Sequence, residues 1–310
     1  MKSKARKILE SLYPEHSFEL SYLGDHQTHE TFSAVSDEHS FVLKLCDNDW
    51  SAMPDFEKGF SLEPLILEAL QDSEVPVPKI IDYTDEYILM EKVPGGSHGD
   101  ISFSENPGAV KQAGKLLGKL HNQFSFESAG GFETSTPLTV EPMDWPEMYR
   151  EIIWQLTCML EKIEAYSTRD RIRKIAEDNL GLLDGREEFV LVHQEFSPRN
   201  LLFDENGVNA VVDWERAISA DPEYDLFTAE KHFLQAEPGK PAVSDNAEEI
   251  TENLIESYRE ERELADGWRK RRYLYQLPYI TIMMYVMKDE NDEIRPELFD
   301  QLGRIENELS

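Results

Sequence analysis

Residues 190–216 read VLVHQEFSPRNLLFDENGVNAVVDWER, and the fold turns on them. Two apolar runs, Leu201-Leu202-Phe203 and Ala210-Val211-Val212, straddle the turn Asp204-Glu205-Asn206-Gly207. An Asn-Gly step between apolar runs is a strong local signal for a β-hairpin, because both residues tolerate the positive φ that a tight turn needs. The hairpin predicts that Asn200, ahead of its first strand, and Asp213, behind its second, lie side by side. An amide oxygen beside a carboxylate suits Mg2+, a hard ion that takes oxygen ligands. An acid that follows a buried apolar run also needs a partner or an ion. Glu195 precedes the hairpin as a candidate base or substrate anchor. His193 reads as a residue that shapes the loop by tying it to backbone carbonyls.

Upstream, Thr31–Val35 and Ser40–Leu45 alternate around the polar turn Ser36-Asp37-Glu38-His39, a second hairpin signal. Phe41, Leu43 and Leu45 share one face of the second strand, Val42 and Lys44 the other. A helix is predicted over 61–71, with Leu62, Leu65, Ile66 and Ala69 or Leu70 as its stripe and Pro64 tolerated in its first turn. Residues 1–14 read as a short helix ended by Pro14. Strands follow at 79–83 and 87–91, and Pro94-Gly95-Gly96 marks a boundary. Beyond it the periodicity turns helical, over 107–124, 146–166, 168–179, 246–265 and 268–288, with one short strand pair near 190–213. The stretch 235–247 reads as a loop, in which Ser244 or Asp245 can cap the next helix. The expected organisation is an α+β chain of two lobes, 1–93 and 94–310.

The composition narrows the function. The 310 residues include 62 acidic and 31 basic ones, for a net charge of -31, with 40% hydrophobic residues. That much apolar material supports a core and argues against disorder. A surface this negative repels phosphate backbones and anionic lipids, so neither nucleic acid nor membrane is expected as a partner. The acid excess reads as a solubility device for a salty, halophilic cytoplasm, where counterions screen self-repulsion, or as the surface of an ordinary acidic cytoplasmic protein. Cys46 and Cys158 are too few and too scattered for a disulfide framework or a cysteine zinc site. No secretory or membrane-spanning segment is expected: the longest apolar stretch, Leu274 to Met287, holds Gln276 and Pro278.

The segments His193-Gln194-Glu195-Phe196-Ser197-Pro198-Arg199-Asn200, Val212-Asp213-Trp214-Glu215-Arg216-Ala217 and Asp221-Pro222-Glu223-Tyr224-Asp225-Leu226 resemble, in order and spacing, three motifs of the aminoglycoside phosphotransferase family. This resemblance implies a bilobal protein-kinase-like fold, with a small antiparallel-sheet lobe, a larger mainly helical lobe and ATP in the cleft. It implies Lys44 on the phosphates, Glu63 orienting Lys44, Gly24 to Thr28 covering the nucleotide, and the backbone of Glu91 to Val93 at the adenine. It makes Asn200 and Asp213 the Mg2+ ligands, Glu195 the catalytic base, and His193 and Asp225 structural supports. Gly114 to His121 resembles the first long helix of the larger lobe. The implied reaction moves the γ-phosphoryl group to a small-molecule hydroxyl acceptor, in a monomer or weak homodimer.

Glu195 stands where the family carries aspartate, one methylene shorter. The longer arm fits if the backbone sits back; a misplacement of about 1 Å costs roughly 100-fold in rate. An active kinase, a slow one, and a nucleotide-binding pseudokinase or non-catalytic interaction module are the open readings. A glycoside hydrolase built on Glu195 and Asp213 leaves Lys44 and Asn200 unexplained. His26 and His29 read as polar loop residues. The basic run Arg269-Lys270-Arg271-Arg272 is expected to pair with glutamates of 256–263. Trp145, Tyr149, Trp154, Trp268, Tyr273, Tyr275, Tyr279 and Tyr285 read as core or as an acceptor-pocket wall.

Overall fold

Alternation in strand β3 (Ser40–Cys46) organises the first part of the chain. Phe41, Leu43 and Leu45 are buried together with Ala5 and Leu9 of helix α1 (Lys2–Leu12). On the opposite face Val42 and Cys46 pack near Phe60, Ile88 and Met90, where Phe60 belongs to helix α2 (Pro54–Leu70). Residues of period two thus feed two layers. Each fully buried leucine contributes about 1.5–3 kcal/mol relative to exposure. The computed structural model describes residues 1–25, 29–46, 54–96, 106–204, 207–234, 246–288 and 294–310, with backbone alone at 25 and 54–59.

The chain divides into two compact units. The first holds residues 1–97, 132–139 and 200–217; the second holds 98–131, 140–199 and 218–310. In the first, β1 (Glu19–Asp25), β2 (His29–Val35), β3, β5 (Tyr87–Glu91) and β4 (Ile80–Thr84) form an antiparallel sheet in that order. The Ser36–His39 turn closes as expected, with the Ser36 N–H donating to the His39 carbonyl at 2.8 Å. The helix predicted from 61 begins seven residues earlier, so Pro64 lies in its interior and not in its first turn. The 190–216 stretch forms the expected hairpin, β10 (Leu201–Asp204) and β11 (Gly207–Val211), with Leu201 opposite Val211. Its turn residues 205–206 lie outside the described residues. Gly95 lets this hairpin approach: its φ is +134°, and a Cβ there would stand 2.9 Å from the Phe203 carbonyl oxygen.

In the second unit α3 (Pro107–His121), α4 (Trp145–Glu161), α5 (Tyr166–Asn179) and α7 (Ala247–Arg259) fall on the predicted helices. Asn106 caps α3 by accepting the Ala109 N–H at 3.1 Å. The proposed caps Ser244 and Asp245 lie outside the described residues, as does most of the 235–247 loop. The helix predicted over 268–288 is two, α8 (Trp268–Tyr275) and α9 (Leu277–Val286), because Pro278 lacks the N–H that a continuous helix requires.

Three features lay outside the helices and strands read from periodicity. Helix α6 (Pro222–Leu234), expected only as the helix that carries Asp225, is buried nearly all round, so it has no amphipathic stripe. Helix α10 (Pro296–Leu309) buries Leu298, Leu302, Ile305 and Leu309, a helical spacing that is plain in the sequence. The third is a sheet of order β6 (Ser125–Phe126), β9 (Phe189–Val192), β12 (Ile218–Ala220), β7 (Ala129–Phe132) and β8 (Val140–Met143). Residues 189–192 therefore pair in this sheet and not with the hairpin. Strands of two to four residues are too short to show alternation.

The basic run also differs from expectation. Arg271 makes a fork onto Glu223 at 2.7 and 2.9 Å, and Arg272 meets Glu230 at 2.8 Å. Both acids sit on α6, each 1% exposed, and buried carboxylates draw the guanidinium groups away from the 256–263 glutamates. Of the aromatic set, Trp145, Tyr149, Tyr275 and Tyr279 are buried core, whereas Trp154, Trp268, Tyr273 and Tyr285 are partly exposed. Among the described residues no helix is long and apolar enough to cross a membrane.

Candidate active site

Strand alternation places Lys44 on the α2 face of the first sheet, and α2 supplies Glu63. The Lys44 Nζ donates to Glu63 Oε1 at 2.8 Å and Oε2 at 2.7 Å, and to Asp213 Oδ1 at 3.0 Å. Lys44 is 6% exposed and Glu63 1%. Burial alone would lower the Lys44 ammonium, but Asp213, Glu63 and Glu215 outweigh it and raise the group above its ordinary value. Removing one member of such a buried pair costs about 3–5 kcal/mol, since the other charge is left uncompensated.

Asp213 reaches Lys44 from the end of the hairpin. The Val212 N–H donates to the Asn200 carbonyl at 2.9 Å, continuing the β10–β11 ladder by one step. The chain then turns through Asp213 with φ +71°, a left-handed conformation costly for a residue with a Cβ. Beyond it the Trp214 N–H donates to Glu63 Oε1 at 3.3 Å and the Trp214 ring N–H to the Val211 carbonyl at 3.0 Å. These bonds hold the turn. The structure thus brings Lys44, Glu63 and Asp213 together through direct contacts, with the Asn200 backbone one ladder step away. An amide and a carboxylate on adjoining backbone are hard oxygen donors, which fits Mg2+.

Two further residues were missed. His29, read from sequence as a loop residue, opens β2 and is 1% exposed. Its Nδ1 lies 3.5 Å from Glu215 Oε2. Burial would raise the Glu215 carboxyl, and Asp213 adds to that, yet the His29 hydrogen bond and the Lys44 charge hold it below the usual carboxylate range. The available signal was the carboxylate two positions after Asp213. His26 lies outside the described residues.

In the second unit, β9 delivers the chain into the 193–200 loop and α6 fixes it from below. The fully buried Asp225 accepts the His193 N–H at 2.8 Å and the Gln194 N–H at 3.0 Å. Gln194 is bent into a φ of +67°. Asp225 also meets His121 Nε2 at 3.3 Å, and His121 Nδ1 meets the Tyr258 hydroxyl at 2.8 Å. The buried His193 ring accepts the Glu195 N–H at 3.3 Å, a backbone amide where carbonyls were expected. Glu195 itself is half-buried.

Gly24 sits at a bulge in β1, where the pairing with β2 shifts register, and a Cβ there would meet nothing within 4 Å. Residues 26–28 of the expected covering loop lie outside the described residues. The Glu91 N–H donates to the Lys79 carbonyl at 2.9 Å, and Val93 follows the end of β5 half-buried.

The sequence profile of the phosphotransferase enzyme family matches residues 19–274. No curated protein matches the chain. Among solved structures, a provisionally named fructosamine-3-kinase from Thermobifida fusca YX-ER1 is similar with TM-score 0.69 and 21% identity, over 97% of this chain and 98% of that one. Aminoglycoside phosphotransferase APH(4)-Ia gives 0.64 and 16%, over 100% and 97%. A thermostable mutant of APH(4)-Ia in ternary complex with AMP-PNP and hygromycin B gives 0.64 and 17%, over 99% and 96%. At these identities the likeness carries the fold, that of protein-kinase-like phosphotransferases. The profile covers well over half the chain, which therefore belongs to the phosphotransferase enzyme family.

Proposed function

We propose that the chain moves the γ-phosphoryl group of ATP, in an Mg2+-dependent reaction, to a hydroxyl of a small molecule such as an amino alcohol, an amino sugar or a related metabolite or antibiotic. The observation that carries this reading is the buried Lys44 ammonium, gripped by both oxygens of Glu63 and by Asp213 Oδ1. A cation kept charged and fixed in direction is poised for phosphate oxygens, which would take over the donor now given to Asp213. The complex of APH(4)-Ia with AMP-PNP and hygromycin B supports a nucleotide and a small acceptor here.

Glu63 aims Lys44 at the phosphates. Gly24, at its bulge, leaves room for the nucleotide to approach backbone, and Glu91 and Val93 offer main-chain groups to the base. Asn200 and Asp213 would hold Mg2+, which when bound neutralises charge on the phosphate oxygens. Glu195 orients the acceptor hydroxyl and takes its proton as the oxygen forms the new bond to phosphorus and the bond to the leaving ADP oxygen breaks. Asp225 and His193 keep the Glu195 backbone in place by the bonds described above. On this reading 1–93 is the nucleotide lobe and 94–310 carries catalysis and acceptor recognition.

The test is calorimetric titration of Mg–AMP-PNP with wild type and Asp213→Ala, paired with phosphate transfer in high KCl to a panel of amino alcohols and sugars. We expect Asp213→Ala to weaken nucleotide binding at least tenfold and Glu195→Gln to abolish turnover. Unchanged affinity in the first variant would remove the metal role, and unchanged turnover in the second would remove the base. Wild-type nucleotide binding with no transfer to any acceptor would favour the pseudokinase.

A further inference from the structure

We propose that His16, Glu38 and His39 form a binding site for a divalent transition-metal ion of the zinc type, built from the α1–β1 connection and the β2–β3 turn. Each residue offers one ligand atom, and the three atoms all lie within 4.8 Å of one another. His16 Nε2 stands 4.0 Å from Glu38 Oε2. Among the described residues no other group of three histidine, cysteine or acidic side chains meets this spacing.

The site is built by the fold. His16 belongs to the connection between α1 and β1; Glu38 and His39 belong to the β2–β3 turn. The turn is rigid: the His39 N–H donates to Ser36 Oγ at 3.0 Å and the Ser36 N–H to the His39 carbonyl at 2.8 Å. The His39 ring stacks on Phe41 at 5.3 Å and lies 5.0 Å from the Tyr13 ring. The His16 ring stands edge-on to His39 at 4.8 Å and to Tyr13 at 6.2 Å. The His16 N–H is tied to the Tyr13 carbonyl at 3.1 Å. Packing against aromatics therefore holds both imidazoles close to one point before any ion arrives.

The donor set selects the metal. Two imidazole nitrogens and one carboxylate oxygen suit Zn2+ and its borderline neighbours, not Mg2+ or Ca2+, which take oxygen alone. Ligands at about 2.0–2.1 Å from a tetrahedral ion are about 3.3 Å apart. Closing from 4.0–4.8 Å needs only side-chain rotation, for which Glu38 is free, its side chain being 72% exposed. Water completes the fourth position. The bound ion would staple the α1–β1 connection to the β2–β3 turn, so binding to the native state alone raises its stability. Lys44 lies toward the other end of β3 from this turn, so the inference stands or falls apart from the kinase reading.

The experiment uses the untagged full chain, stripped with chelator, dialysed, and kept in excess Mg2+ to fill carboxylate-only sites. Zn2+ is titrated calorimetrically, and Co2+ is followed by visible absorption. We expect one equivalent of either metal, Co2+ bands of tetrahedral intensity, and a Tm raised by about 5 °C at Zn2+ a hundredfold above Kd. Glu38→Gln should weaken binding at least tenfold, and the double variant His16→Asn with His39→Asn should abolish it. Asp213→Ala should bind Zn2+ as wild type does. Because His39 also packs on Phe41, the decisive variants are Glu38→Gln and His16→Asn, which leave that stack intact. Absence of a stoichiometric site, or affinity unchanged in both of those variants, would overturn the assignment.

Discussion

Four of the described residues with side chains adopt left-handed backbone, Leu138, Glu164, Gln194 and Asp213; of these Gln194 adjoins Glu195 and Asp213 is itself assigned to the chemistry. Strain of this kind persists only where surrounding bonds over-determine it. Asp225 supplies those bonds for Gln194, and Glu63 with Asn200 supplies them around Asp213. Single residues also set the acid response. Burial, with the charge of Arg199, pushes His232 down to about 4, and burial likewise lowers His121 despite Asp225. Between the unfolded value near 6.5 and these lower values the unfolded chain binds protons that the native chain does not. Stability therefore holds above about pH 6.5 and falls as the pH drops toward 4. For His232 the loss by pH 4 is about 3 kcal/mol. Urea unfolding at pH 7, 5.5 and 4.5 should show a shallower decline for His232→Gln than for wild type; parallel declines would refute it. At this scale motif spacing singled out Asn200 and Asp213, and the looser resemblance of its strand singled out Lys44. The partnership of His29 with Glu215 was not, because it joins positions 186 residues apart by proximity alone.

At the scale of elements, the helix pair α3 and α7 rests on glycine. A Cβ at Gly114 would run into Ser257 Oγ and the Leu254 carbonyl, and one at Gly118 would stand 2.7 Å from the Glu261 Cβ. The helices approach at these points because the glycines lack side chains. Gly114→Ala should destabilise the protein by about 1–3 kcal/mol through overpacking, read as a lowered unfolding midpoint. Gly181→Ala, whose Cβ would find only Asp184 Oδ2 at 3.7 Å, should stay within about 0.5 kcal/mol of wild type. Equal effects at both positions would show that the α3–α7 contact does not depend on glycine. The strands around Lys44 were readable from their alternation, as were the long amphipathic helices. Helix α6 was not, since ten of its thirteen residues are buried and no polar face gives it a period.

For the whole molecule, charge decides. A net charge of -31 makes the folded chain repel itself, and mobile ions screen that repulsion within a Debye length of about 8 Å at 0.15 M. The Tm should therefore climb as KCl is raised from 0.1 to 2 M. The Lys44–Glu63 contact, being buried, should survive that salt, so nucleotide affinity per Mg2+ should change less than Tm. A Tm that is flat or falls with KCl would mean that ion pairs on the surface outweigh net repulsion.

Local order along the chain was enough to determine the hairpin at 201–211, the face of β3 that carries Lys44, most helices and the family motifs, because turn chemistry and hydrophobic period act over a few neighbouring residues. Tertiary structure decided other pairings of buried charges, Arg271 with Glu223 and His29 with Glu215, and gave Asp225, expected only as a support, its partners in the amides at 193 and 194. The physical reason is that Coulomb and hydrogen-bond energies depend on distance in space and on local exclusion of water. Neither quantity exists until the chain has folded.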